Sequence, residues 1–70
     1  MIRLNFQLNG KQVELPEVVD SVEKLLTHYH LQSRIAVVEV NKEIVRKEEY
    51  ETKKLSNGDV VEIIHFVGGG

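Results

Sequence analysis

The residues best suited to chemistry in this chain lie at its end, where Val67 is followed by Gly68, Gly69 and Gly70. A terminal carboxylate has a pKa near ~3.5, so it is ionised at neutral pH and is a poor electrophile until one oxygen becomes a good leaving group. Glycine lacks Cβ, so three in succession form a thin backbone that adopts conformations closed to other residues and can pass a narrow channel. Fully extended, Val67 to Gly70 reach ~13 Å. These properties suit a terminus delivered to another protein's active centre. A frayed end without function, the common fate of terminal residues, is the other reading the glycines alone allow.

The remaining candidates for chemistry are weak. His28 and His30 stand two apart on an expected helix and point in different directions, and neither they nor His65 have an acidic partner at ligand spacing, which disfavours metal binding. Ser21 and Ser33 sit in no nucleophile elbow, and the glycines form no strand-to-helix loop that could cradle a nucleotide. The 70 residues include no cysteine, which excludes a disulfide, a thiolate metal site and a cysteine nucleophile, and suits a reducing compartment. The chain reads as something enzymes act on, not as an enzyme.

Nine Lys and Arg against eleven Asp and Glu give a net charge of -2, and no stretch gathers the basic cluster that binding to a phosphate backbone needs. This argues against nucleic acid as a partner. Glu48, Glu49, Glu51 and Glu62 are able to steer the chain toward a basic surface, although such charges are more often simply solvated. The alternating start from Met1 to Leu8 is not a signal peptide, and Ile35-Ala36-Val37-Val38, the longest aliphatic run, is far short of the ~20 residues that span a bilayer. A cytoplasmic protein without a membrane partner is expected.

The elements that must position the tail follow from periodicity. Ile2, Leu4, Phe6 and Leu8 share one face of a half-buried strand. Asn9-Gly10 supplies the positive φ of a tight hairpin, and Val13 and Leu15 resume the alternation until Pro16 ends it. Asp20 or Ser21 caps a helix, with Glu23 three after Asp20 as in a capping box, and Val22, Leu25, Leu26 and Tyr29 form its apolar stripe to an end near His30. Ile35 to Val40 reads as a third strand, Asn41-Lys42-Glu43 as a turn before Ile44-Val45, and residues 47–51 as polar apart from Tyr50. Asn57-Gly58-Asp59 then launches a last strand, Val60 to Val67, which runs into the glycines.

One domain is all that 41% apolar composition over this length supports, burying only ~60% of the unfolded surface. The order strand, strand, helix, strand, short strand, strand is that of the ubiquitin-like β-grasp, an α+β fold. It carries a mixed sheet of four to five strands with one main helix packed on one face. The helical crossover lets the first and last strands pair in parallel. Residues 1–66 form the domain and 67–70 a flexible glycine tail. In the last strand the charge of Glu62 prefers water, so Val61 and Ile63 face the core. Ile64 and Phe66 then lie outside, either beneath a covering loop or as a docking surface in which Val67 also takes part.

The stretch Asn57-Gly58-Asp59-Val60-Val61-Glu62-Ile63-Ile64-His65-Phe66-Val67-Gly68-Gly69-Gly70 closely resembles the ThiS family, the sulfur carriers of thiamin thiazole biosynthesis. Val40-Asn41-Lys42-Glu43-Ile44-Val45 and Tyr50 resemble that family's middle segment, while the first half matches in pattern only. The family's pattern needs two terminal glycines, and the three here read as an extended form of the tail. The resemblance implies a ThiF-type adenylyltransferase that activates the C-terminal carboxylate with ATP, and a sulfur-donor system that replaces the adenylate. It implies a thiocarboxylate on Gly70, with Gly68 and Gly69 as a slim tether, supplying a ThiG-type thiazole synthase, and no permanently bound cofactor. On the same scaffold a carrier for molybdopterin or for tRNA thiolation is the nearest alternative. A non-covalent adaptor or protein modifier is the more distant one.

Overall fold

The computed structural model describes residues 3–31 and 36–65. In β1 (Arg3–Leu8) the alternation turns Phe6 fully into the core, with Leu4 and Leu8 half-buried beside it and Arg3 and Asn5 facing water. Asn9 and Gly10 then adopt φ of 50° and 83°, positive at both centres as the twist of a two-residue hairpin demands. The strand β2 (Lys11–Pro16) returns antiparallel, in register from Leu8 opposite Lys11 to Arg3 opposite Pro16. Pro16 is its last residue, as expected, and Ile2 lies outside the described residues.

The helix α1 (Val22–His28) begins differently from the expected capping box. Ser21, which is only 2% exposed, is the cap, its Oγ accepting from the Lys24 amide at 3.2 Å. Asp20 instead accepts from Lys24 Nζ at 3.3 Å, and that contact holds its carboxyl below the usual range. Glu23 does not reach back, because tertiary contacts already serve the helix start. The Val22 amide donates to the Lys53 carbonyl at 3.1 Å and the Glu23 amide to that of Tyr50 at 2.9 Å.

The helix closes near His30, as expected, but its buried stripe stops short of Tyr29. Val22, Leu25 and Leu26 are buried, but Tyr29 is 38% exposed and serves as the C-cap. His30 takes the left-handed conformation at φ 60°, donating to the Thr27 carbonyl, while the Leu31 amide reaches back to that of Leu26 at 2.7 Å. This pair of bonds is a Schellman closure, with histidine where glycine is commoner, and it swings Leu31 against the core in place of Tyr29.

The second hairpin joins β3 (Ala36–Val40) to β4 (Glu43–Val45), and the chain then makes a 3-10 turn at Lys47–Glu49 that the polar composition of this stretch hides. The last strand, β5 (Val60–His65), lies between β1 and β3 in the sheet order β2-β1-β5-β3-β4. It runs parallel to β1, pairing Val60 with Gln7 and Val61 with Leu8, and antiparallel to β3 from Ala36 opposite His65 to Val40 opposite Val61. One helix on one face of a five-stranded mixed sheet is the β-grasp architecture. Its core joins Phe6, Leu25, Val38, Val40 and Val61 to Leu55, which the 46–55 segment lays over the start of the helix.

The turn of the second hairpin places Asn41 at φ 53° and Lys42 at φ 69°. A left-handed residue with a Cβ costs roughly 1–2 kcal/mol, partly offset at a glycine by ~0.5–1 kcal/mol of chain entropy. Lys42→Gly is therefore expected to stabilise the fold by up to about 1 kcal/mol, read as a higher denaturation midpoint at unchanged slope.

Candidate functional site

Gly68, Gly69 and Gly70, together with Phe66 and Val67, lie outside the described residues, which end at His65. What the structure shows of the tail is the strand that delivers it. That strand is launched by a turn in which every residue of the Asn57-Gly58-Asp59 signal has a role. Asp59 closes the turn, donating its amide to the Ser56 carbonyl at 3.1 Å and accepting from the Ser56 amide through Oδ2 at 2.8 Å. Gly58 stands at φ 87°, a value that glycine adopts without strain. The Asn57 Oδ1 accepts from the Asn5 amide and the Gly58 amide donates to the Asn5 carbonyl, both at 2.8 Å, so the turn continues the ladder of β1 before β5 begins.

Two asparagines then hold β5 from opposite sides, each standing at the first turn position of a hairpin. On the β3 side, Asn41 donates its amide to the Val60 carbonyl at 2.7 Å and accepts the Val60 amide through Oδ1 at 2.9 Å. Its Nδ2 also reaches Asp59 Oδ1 at 3.1 Å. On the β1 side, Asn9 Oδ1 accepts from the Ile63 amide at 2.7 Å and Nδ2 donates to the Ile63 carbonyl at 3.2 Å. Asn9-Gly10 is legible from sequence as a turn. The second role of its asparagine joins residues 54 apart in the chain, and no local pattern carries it.

Alternation along β5 places Val61 and Ile63 in the core and leaves Glu62 and Ile64 outside, as expected. Ile64 is 52% exposed and stands opposite Val37, which is 37% exposed, while Ile44 on β4 is 67% exposed. All three belong to the open sheet face, because their strand neighbours Ile63, Val38 and Val45 are buried on the other. Val37 and Ile44 are outward apolar residues of this face that sequence reasoning missed. The aliphatic run before Glu39 shows no alternation, so its inward and outward members separate only once β3 pairs.

Between these apolar groups Glu39 stands directly opposite Glu62, and Ile44 opposite Glu39. Like charges facing across two strands are unfavourable, so this row carries a local cost that the fold itself does not require. The other acidic candidates differ in character. Glu49 is occupied locally, its Oε1 accepting from the Arg46 amide at 3.0 Å, and Glu48 and Glu51 are exposed.

Of the histidines, His28 packs edge-on against Tyr29 at 5.0 Å between ring centroids, and His30 closes the helix. The His65 side chain lies outside the description. Among the described residues, no group of three potential metal-ligating side chains comes together, and no helix is long and apolar enough to cross a membrane.

Comparison with known proteins agrees with this geometry. A sulfur carrier protein ThiS from Bacillus subtilis (strain 168) is 48% identical over 64 residues, spanning 91% of this chain and 97% of that protein. A thiazole synthase from Paramagnetospirillum magneticum is 44% identical over 50 residues, spanning 71% of this chain but 15% of that protein. Among solved structures, the thiamine biosynthesis protein ThiS from Geobacter metallireducens superposes with a TM-score of 0.78 at 30% identity, covering 96% of this chain and all of that one. The sequence model of the ThiS family matches residues 5–70, all of the sheet but Arg3 and Leu4 together with the terminal glycines, and the chain therefore belongs to the ThiS family.

Proposed function

We propose that this chain is a sulfur carrier for thiamin thiazole synthesis and that the carboxylate of Gly70 carries the sulfur. The observation that carries this reading is the likeness to a sulfur carrier over 97% of that protein's length, within a family match that runs to residue 70. The chemistry follows from the carboxylate's poor electrophilicity. A ThiF-type adenylyltransferase lets a Gly70 oxygen attack the α-phosphorus of ATP, forming an acyl adenylate and releasing pyrophosphate. Hydrosulfide from the donor system then attacks the acyl carbon, the bond to AMP breaks, and a thiocarboxylate is left after loss of a proton. Each step belongs to a partner enzyme, and this chain supplies the acyl group and its delivery.

Thiazole synthase is the acceptor this reading favours, since the Paramagnetospirillum protein of that name contains a segment like this chain. Residues 67–70 act as the slim tether and 1–66 as the domain that partners grip. The open face with Ile64, Val37 and Ile44 is the docking surface, and Phe66 and Val67, expected beside it, lie outside the described residues. The Glu39 and Glu62 pair within it suits a basic group on the partner. The cytoplasm, where ATP and reduced sulfur are at hand, is the setting this chemistry implies.

The decisive measurement is the intact mass after incubation with ATP, a sulfur donor and the activating enzyme. Exchange of one terminal oxygen for sulfur is expected, and none after deletion of Gly69 and Gly70. A chain left unchanged, or a truncated one still converted, overturns the proposal.

The face is tested separately. Half-exposed Ile64 has about 1–1.5 kcal/mol of apolar burial left to gain on docking, so Ile64→Ser is expected to raise KM for the carrier about tenfold. Its stability should stay within ~0.5 kcal/mol of the parent. Glu62→Gln removes the facing like charge and is expected to stabilise the free protein by about 0.5 kcal/mol, an increment that shrinks as salt is added.

A further inference from the structure

The parallel ladder between β1 and β5 is short, because β1 leaves the sheet at Leu8 while β5 continues to His65. On the other side β3 accompanies β5 to its end, with Ala36 opposite His65. Beyond Val61, whose carbonyl takes the Asn9 amide at 2.9 Å, no strand among the described residues lies on the flank of β5 facing β1. Alternation turns the amide and carbonyl of Ile63 toward that flank, beside a side chain that is itself buried. Left alone, they would be two unpaired backbone groups at the margin of the core.

The Asn9 carboxamide meets both of them, at 2.7 and 3.2 Å. A carboxamide offers the same pair of groups as a peptide bond, one acceptor and one donor side by side, so Asn9 acts as one more rung of the ladder. The position also requires φ 50°, which asparagine tolerates. The turn that ends β1 thus extends the hold of β1 on the last strand.

We propose that Asn9 is a positioning residue for the tail chemistry, holding the flank of the last strand that β1 no longer accompanies and so limiting the freedom of the Gly70 carboxylate. This rests on the sulfur-carrier reading. With the rung in place, β5 is held on both flanks at Ile63 and on its β3 flank as far as His65, and the span from 64 to 70 reaches at most ~25 Å. Without it, the β1 flank of β5 is no longer held at Ile63, the strand end gains conformations, and fewer encounters present the carboxylate correctly once the domain has docked. The loss falls on turnover, because the pairing of Ile64 with Val37 on the other flank keeps the docking face.

Asn9→Gly removes the amide while accepting the positive φ. Asn9→Asp also tolerates the turn but sets an oxygen against the Ile63 carbonyl in place of the donor. Asn41→Gly is the control, because Asn41 pins β5 at Val60, the end away from the tail. Hydrogen exchange at the Ile63 amide is expected to quicken about tenfold in Asn9→Gly, the equivalent of one lost hydrogen bond, while Asn9→Asp keeps that acceptor and loses only the bond to the carbonyl.

With the ThiF-type enzyme and ATP, followed by pyrophosphate release well below the unfolding temperature, both Asn9 variants should lower kcat about fivefold with KM within about twofold. Asn41→Gly should lower the unfolding midpoint and leave kcat and KM unchanged. Unaltered exchange at Ile63 in Asn9→Gly, parental kcat in the Asn9 variants, or an equal fall in Asn41→Gly overturns the positioning role. A parental chain that releases no pyrophosphate overturns the sulfur-carrier reading itself, and this inference with it.

Discussion

The parallel pairing of β1 with β5 is the constraint on which the rest of the structure depends. A strand that arrives last in the chain yet lies between the first and third has to be paired on both flanks, and parallel neighbours cannot be joined by a short turn. The helix supplies the required crossover, and its buried face of Val22, Leu25 and Leu26 covers the sheet that the crossover spans. The segment from 46 to 55 then returns the chain to the far end of β1. On the way it satisfies the first helix amides through the Lys53 and Tyr50 carbonyls and buries Leu55.

Few ladder bonds serve this central pair, because β1 and β5 overlap over only Gln7–Val60 and Leu8–Val61. Side chains at the turns make up the difference. Asn57 continues β1 toward the entry of β5, Asn41 anchors its first residue, and Asn9 holds it at Ile63. Each places an amide where a backbone group would otherwise lack a partner, and each sits where the chain is already bent, so a residue needed for the turn also serves the sheet.

The two faces of β5 divide the labour of a carrier. The inner face, Val61 and Ile63, belongs to a core with little apolar area to spare in a chain of this length. The outer face keeps Ile64 beside Val37 in water, with Glu62 facing Glu39. Exposed apolar groups and facing like charges both work against the isolated fold, and both are relieved when a partner covers them with apolar area and a basic group. A protein that is handed between enzymes has to remain stable without such a cover, and here the inner face and its ladder provide that stability.

Sequence alone determined the order of elements, the parallel first and last strands, the inward pair Val61 and Ile63 and the outward Ile64, because period-two alternation and turn residues are local and strongly patterned. It also determined the resemblance that assigns the chemistry to Gly70, since the glycine tail follows a characteristic strand. Tertiary structure decided what depends on distant partners. The cap fell to Ser21, not to an Asp20 and Glu23 box, because carbonyls from residues 50 and 53 reach the helix start. Tyr29 was displaced by Leu31 because a left-handed His30 closed the helix. Val37 and Ile44 joined the outer face only through the register of β3 with its neighbours. The hold of Asn9 on Ile63 spans 54 positions, and it exists only because folding places the end of the first strand beside the middle of the last.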